Sequence, residues 1–404
     1  MKTSTPFSLT CVALAIATGV GLAAPARADV ITDWQLKADA LIVESKLGTP
    51  PAIRAMALVQ TAVADAVAAV QSRGATPAAA VDAAVAAAHR TVLGKLIPAQ
   101  QASIEVVYQA ALGTVPDSPA RTAGIAAGEQ AATAVLARRA DDSPAAADTY
   151  RPHAAAGAYV PTAALAASQW PQRKPWLMAN AAQFRPAAPP ALTSEAWARD
   201  YNEVKALGGK TSTRRSAEQT EIARFWEYSL PPIYHGVLRS VALQPGRDVA
   251  RNARLFAAAA QAMDDALISV FEAKYHYNFW RPATAIRNGD TDGNDATQRE
   301  PGWASLIDAP MHPEYPSGHS ILAAAVGTVL KADIGAGPMP PLSTSSPSAK
   351  GATRRWNSVD DFVQEIGDAR IYGGIHYRAA IDSGAAMGRR VGELAVERLL
   401  QPPQ

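Results

Sequence analysis

The chain has 404 residues, 38 of them basic and 36 acidic, and a single cysteine. A charge balance this even, with no basic run, argues against nucleic acid or an anionic membrane surface as a partner. The length is ample for a large core, and that core must be held by packing, because one thiol cannot form a disulfide within the chain.

Residues 1–28 read as a secretory signal. Lys2 charges the start, 9–24 is a short apolar stretch, and Ala26-Arg27-Ala28 fits a small-x-small cleavage site, leaving Asp29 as the mature N-terminus. The stretch is short and rich in Ala and Gly for a membrane span, which needs ~20 strongly apolar residues. No later segment reads as long and apolar enough to cross a bilayer, so no membrane partner is expected after cleavage. The leader takes Lys2, Arg27 and Cys11 with it, which leaves 36 basic and 36 acidic residues and no thiol. The expected destination is the periplasm or beyond.

From there the chain is rich in alanine and reads as helix. Helices are predicted over 53–70, after Pro50-Pro51, and over 78–96, before Pro98. Two more follow over 100–112 and 120–139. Apolar residues recur every three or four positions, as in Val59, Val63, Val67 and Val70. The segment 35–140 is therefore expected to be a structural helical bundle. Between 141 and 193 prolines punctuate the chain, with Trp170, Trp176 and Phe184 among them. Such aromatics suit an ordered crossing packed over helices better than a disordered linker. Helices resume over 194–400. Ser216-Ala-Glu-Gln219 is a capping box for a helix expected to run to about Leu230. The stretch 247–275 is the longest periodic run, and no run of alternating strands stands out. The fold class is all-α, with 29–404 as one helical domain.

Three clusters in the last third carry the chemistry. Lys274 and Arg281 are seven residues apart, so on one helix both leave on the same side, and Pro282 ends that helix. Tyr275, Tyr277, Phe279 and Trp280 would wall the pocket beside them. Pro316-Ser317-Gly318-His319 then leads into an Ala-rich run, the mark of a helix N-terminus. There the first N–H groups and the helix dipole favour an anion. Gly318 lets an oxyanion approach its amide, Ser317 offers a hydroxyl, and His319 can give or take a proton. Ser358-Val-Asp-Asp361 caps a helix to about Tyr372, Gly373-Gly374 break it, and His376 follows. Arg370 supplies a planar fork for paired oxygens, and His376 is placed to bond an anion's central atom. Asp290-Thr-Asp-Gly-Asn-Asp295 reads as an acidic turn-rich loop, since the EF-hand spacing and its terminal Glu are absent.

The set Lys-x6-Arg-Pro, Pro-Ser-Gly-His and Arg-x5-His resembles the type-2 phosphatidic acid phosphatase superfamily, which joins vanadium-dependent haloperoxidases with acid phosphatases. The flanks Lys274-Tyr-His-Tyr-Asn-Phe-Trp-Arg-Pro and His312-Pro-Glu-Tyr-Pro-Ser-Gly-His look most like the bacterial haloperoxidase branch. The resemblance implies helical bundles and a pocket for vanadate, which phosphate would also fit. In it, His376 would ligate vanadium, and Lys274, Arg281, Arg370, Ser317 and the Gly318 amide would hold the oxygens. His319 would be the acid–base group. The implied substrates are hydrogen peroxide, a halide and an organic acceptor.

Two departures stand out. Ala369 replaces a common Ser, and Ala380 replaces the Asp that orients the nucleophilic histidine in the phosphatases; the nearest acid there is Asp382. The family also suggests an acid for Arg370, with Glu218 and Glu221 as candidates, and a halide pocket with Phe271 and His312 in its wall. The alternatives are an acid phosphatase acting through a phosphohistidine at His376, and a non-catalytic oxyanion-binding protein.

Overall fold

The computed structural model describes residues 29–72, 77–142 and 150–400, so the leader and Cys11 lie outside the described residues. The chain opens with α1 (Val30–Glu44), a helix not predicted from the sequence, and the four expected N-terminal helices follow as α2 (Thr49–Gln71), α3 (Ala78–Leu96), α4 (Gln101–Gly113) and α5 (Pro119–Arg138). Helix α2 starts earlier than predicted, with Pro50 and Pro51 inside its first turn. Proline is tolerated there because the N–H it lacks would have no helical acceptor. By length and composition α2 could span a membrane, contrary to the sequence expectation, yet 78% of that window is buried inside the protein. It packs on α3, α5 and the long helix Val249–Tyr277, so its apolar surface is core.

After the crossing come α6 (Glu195–Gly208), α7 (Ala217–Phe225), α8 (Pro232–Ala242), α9 (Val249–Tyr277), α10 (Pro282–Arg287), α11 (Gly318–Ile334), α12 (Val359–Tyr372) and α13 (Arg378–Ala395). The Ser216–Gln219 capping box is formed in both directions, but α7 stops at Phe225, short of Leu230. Helix α9 is buried on nearly every side and packs against α1, α2, α8, α11 and α13. One apolar cluster runs continuously from α1 to α13 through it.

The crossing is ordered where described. Trp170 and Phe184 are buried in the core. Asp265 of α9 accepts the backbone N–H groups of Trp176 (2.6 Å), Leu177 (2.7 Å) and Met178 (3.0 Å), and Asp264 accepts the Trp176 indole N–H at 2.7 Å. Two carboxylates on the central helix thus pin the crossing.

Two further sequence expectations fail. A hairpin of β1 (Leu342–Ser346) and β2 (Ala352–Trp356) pairs antiparallel, with Leu342 opposite Trp356. Its strands, LSTSS and ATRRW, carry too few apolar residues to show alternation. Lys274 and Arg281 do not share a helix either. Helix α9 ends at Tyr277 because Asn278 takes a left-handed conformation (φ 48°), and Arg281 becomes the N-cap of α10. The acidic loop is structural, as expected: Asp292 accepts from the Trp197 indole (2.8 Å) and the Thr297 hydroxyl (2.7 Å).

Candidate active site

The last turns of α9, the loop residues 310–312, the start of α11 and the end of α12 with the turn after it converge on a cavity of about 350 Å³, which residues 48–50, Ala166 and Ser229 also line. Of the residues predicted for the site, Phe271, Lys274, His312, Gly318, His319, Arg370 and His376 line it. Arg281 and Ser317 stand behind the wall. Among the described residues no carboxylate lines the cavity itself; the nearest, the buried Glu314, stands behind His376.

Lys274 is fully buried, and its ammonium donates to the carbonyls of Pro313 (3.1 Å), Glu314 (2.9 Å) and Pro316. All three donors are therefore spent on the loop. The residue expected to contact the anion instead organises 313–316 and contributes its charge. Arg281 donates to the His312 carbonyl (3.0 Å), the Ile375 carbonyl (2.8 Å) and the Pro313 carbonyl (3.3 Å), and meets His312 Nδ1 at 3.0 Å. It ties the loop to the turn bearing His376, and its Nη1 is 3.4 Å from His376 Nε2.

Helix α11 starts where the sequence predicts. The Ser317 hydroxyl accepts from Ser320 N at 3.3 Å and from the Ser320 hydroxyl at 3.0 Å. A methyl placed at Gly318 would meet open space, so its backbone is accessible from the cavity. Ser358 caps α12 through Asp361 N at 3.0 Å. Arg370, in the last turn, gives Nη1 to the Trp226 carbonyl at 2.5 Å. The reversal that follows needs glycine at 374 (φ 77°), which also lies against the Gly208 backbone. There the Ile375 N–H returns to the Arg370 carbonyl at 3.1 Å, and His376 is delivered to the cavity.

The sequence reading did not single out Glu314. It is fully buried, and its Oε1 lies 2.7 Å from His376 Nδ1 and accepts Tyr377 N–H at 3.0 Å. With Nδ1–H donated to Glu314, the Nε2 lone pair is left facing Arg281 Nη1 at 3.4 Å, a long contact that a ligand would replace. Glu314 thus occupies the orienting place that Asp382, an exposed residue, does not. The only hint was its position in the quoted His312–His319 flank. The acids proposed for Arg370 also fail. Glu218 lies 3.9 Å from Arg354, and neither it nor Glu221 is bonded to Arg370.

Burial sets the protonation states. His312, His319 and His376 are all held well below the usual histidine range, first by burial and then by the neighbouring cations. Lys274 is likewise pushed well down by burial and by Arg281. Arg281 and Arg370 are lowered by burial to about 10, and so remain charged at neutral pH. Burial pushes Glu314 up to about 7, against the pull of Arg281 and Lys274.

Two buried side-chain nitrogens at the cavity, Arg370 Nε and His319 Nε2, have no partner among the described residues. These orphaned nitrogens, open space at Gly318, the His376 ring at the wall and the buried guanidinium of Arg370 together fit a tetrahedral oxyanion of vanadate or phosphate type.

Residues 254–403 match the family model of the VCPO second helical-bundle domain. Vanadium chloroperoxidase of Curvularia inaequalis is 31% identical over 175 residues, covering 35% of this chain and 28% of that protein's length. The crystal structure of a bacterial vanadium-dependent iodoperoxidase matches with a TM-score of 0.76 at 26% identity, over 91% of this chain and 95% of that one. A holo-type bacterial vanadium-dependent chloroperoxidase matches with a TM-score of 0.72 at 18% identity, over 88% and 93%.

Proposed function

We propose that this chain is a vanadium-dependent haloperoxidase, oxidising halide with hydrogen peroxide at a vanadate held by His376; the matches to vanadium haloperoxidases support the reading. The observation that carries the reading is the cavity itself: buried cations and three neutral histidines, with no carboxylate among the described residues of the wall. Bound vanadate would supply a Lewis-acid centre that activates peroxide without changing oxidation state.

The chain's own groups have separable tasks. His376 offers Nε2, fixed by Glu314 at Nδ1. Arg370, with Nε unpaired, and the Gly318 amide hold oxygens of the anion. Lys274 and Arg281 add charge while shaping the loop 312–316. His319, neutral and with a free Nε2, moves the proton that peroxide must lose. Phe271 and His312, rings 5.2 Å apart, form the wall where halide would approach. An organic acceptor takes up the oxidised halogen.

The experiment is to purify the chain from Asp29, load it with vanadate, and assay peroxide with iodide and bromide. Iodide comes first because the iodoperoxidase is the structural relative with 26% identity. No oxidation of either halide would sink the reading. A second reading, phosphomonoester hydrolysis through a phosphohistidine at His376, gains from the Glu314–His376 pair, which supplies an orienting carboxylate. Robust phosphomonoester turnover without halide oxidation would put it first.

A further inference from the structure

A second cavity of about 320 Å³, with Tyr159, Thr162, Thr284 and Arg287 in its wall, adjoins the first. Pro310 and Met311 line both, so they form the partition between them. Among the described residues Met311 is the one methionine that borders either cavity. Its carbonyl is anchored by Ala166 N–H at 2.8 Å, and its sulfur lies 4.0 Å from the Thr162 hydroxyl. It directly precedes His312 in the wall where halide would approach. Met56, Met178, Met263 and Met387 are buried, whereas Met339 is 39% exposed to solvent and lies outside both cavities.

We propose that Met311 is the enzyme's own oxidation site, its thioether being converted to the sulfoxide by the hypohalous acid formed beside it. The inference rests on the haloperoxidase reading, which supplies that oxidant. In net terms hypohalous acid and thioether give sulfoxide, halide and a proton. The sulfur–oxygen bond forms, and the oxygen–halogen bond breaks with its electron pair leaving on the halide. Sulfur loses two electrons and the halogen gains them. The product is polar where the thioether was apolar, and it sits in a partition that Arg281 borders from the second cavity. Turnover should therefore alter this wall progressively.

Position and exposure make opposite forecasts. Oxidant arriving from bulk solvent meets Met339 first, and oxidant made in the cavity meets Met311 first. The test uses the vanadate-loaded full mature chain with peroxide, bromide and a phenolic dye that reports halogenation. Samples taken during turnover are digested and each methionine peptide is weighed for one added oxygen. Met311 should carry the sulfoxide several-fold ahead of Met339 during turnover. Hypohalite added from outside should reverse that order, and peroxide without halide should leave Met311 unchanged. A Met311→Leu variant should keep its initial rate for longer, because Leu fills similar volume without a thioether. Dye halogenation with Met311 still unmodified, or modified no faster than Met339, overturns the inference while leaving the haloperoxidase reading standing. No dye halogenation with bromide, and none when iodide replaces it, overturns that reading and the inference with it.

Discussion

Burial gives ordinary side chains at this cavity the properties that the proposed anion site needs. A guanidinium in water shares its charge with solvent, whereas Arg370, 2% exposed, has Nε unsatisfied and its charge facing the cavity. Arg370→Ala should weaken vanadate and phosphate together, each by about 1.5–3 kcal/mol for one charged hydrogen bond. Titration of both anions checks this, and unchanged binding of both would show the pocket to be misplaced. The histidines should separate. His376→Ala should lose vanadate and peroxidase activity together. His319→Ala should keep measurable vanadate and lose ~10²–10⁴-fold in rate, the range for one acid–base group. Glu314 tests the orientation of His376. Gln at that position presents an oxygen to both Tyr377 N–H and His376 Nδ1–H, so Glu314→Gln should retain vanadate better than Glu314→Ala, which should lose roughly 10–100-fold. Equal affinity in the two variants would remove Glu314 from the site. Lys274, His319, Arg370 and His376, which line the cavity, were legible through the motifs that carry the family resemblance. Glu314 was not, because its partner is 62 positions away and spacing along the chain says nothing about that approach.

At the scale of elements, the start of α11 is held by α13. A methyl at Gly384 would collide with the Ser317 backbone, and one at Gly388 with the Ile321 carbonyl, so the two helices touch backbone to backbone beneath the anion site. Gly to Ala in a helix ordinarily stabilises by roughly 0.5–1 kcal/mol. Gly388→Ala should reverse that sign, since separating the helices costs about 1–3 kcal/mol as overpacking. It should also weaken phosphate binding by shifting Gly318 and His319. Gly113, at the end of α4, has open space where a methyl would go, so it is the control and should be neutral or stabilising as Gly113→Ala. Urea midpoints of the two variants settle the comparison; a stabilised Gly388→Ala would show that the seam can relax. The helices themselves were readable from 3.6-residue periodicity. The hairpin was not, because Ser and Thr fill its strands. The break at Asn278 was missed because asparagine is only occasionally left-handed, yet that one residue takes Arg281 off the helix of Lys274.

For the whole molecule, the continuous core through α9 explains how a chain with no thiol beyond residue 11 can be stable. The leader proposed over residues 1–28 makes a definite claim about where the mature protein begins. Asp29 is the N-cap of α1, accepting Ile31 N–H at 3.3 Å, and its other oxygen accepts the Asn252 amide at 2.5 Å on α9. Cleavage after Ala28 keeps that cap, while a cut one residue later would remove it at a cost of about 1 kcal/mol. Protein recovered from the exported fraction should therefore begin Asp-Val-Ile-Thr-Asp by N-terminal sequencing. The same cut removes Cys11, so a thiol-reactive dye should label the unprocessed chain and leave the unfolded mature chain blank. Met1 retained on protein found only in the cytoplasm, or a dye-labelled exported chain, would end the export proposal.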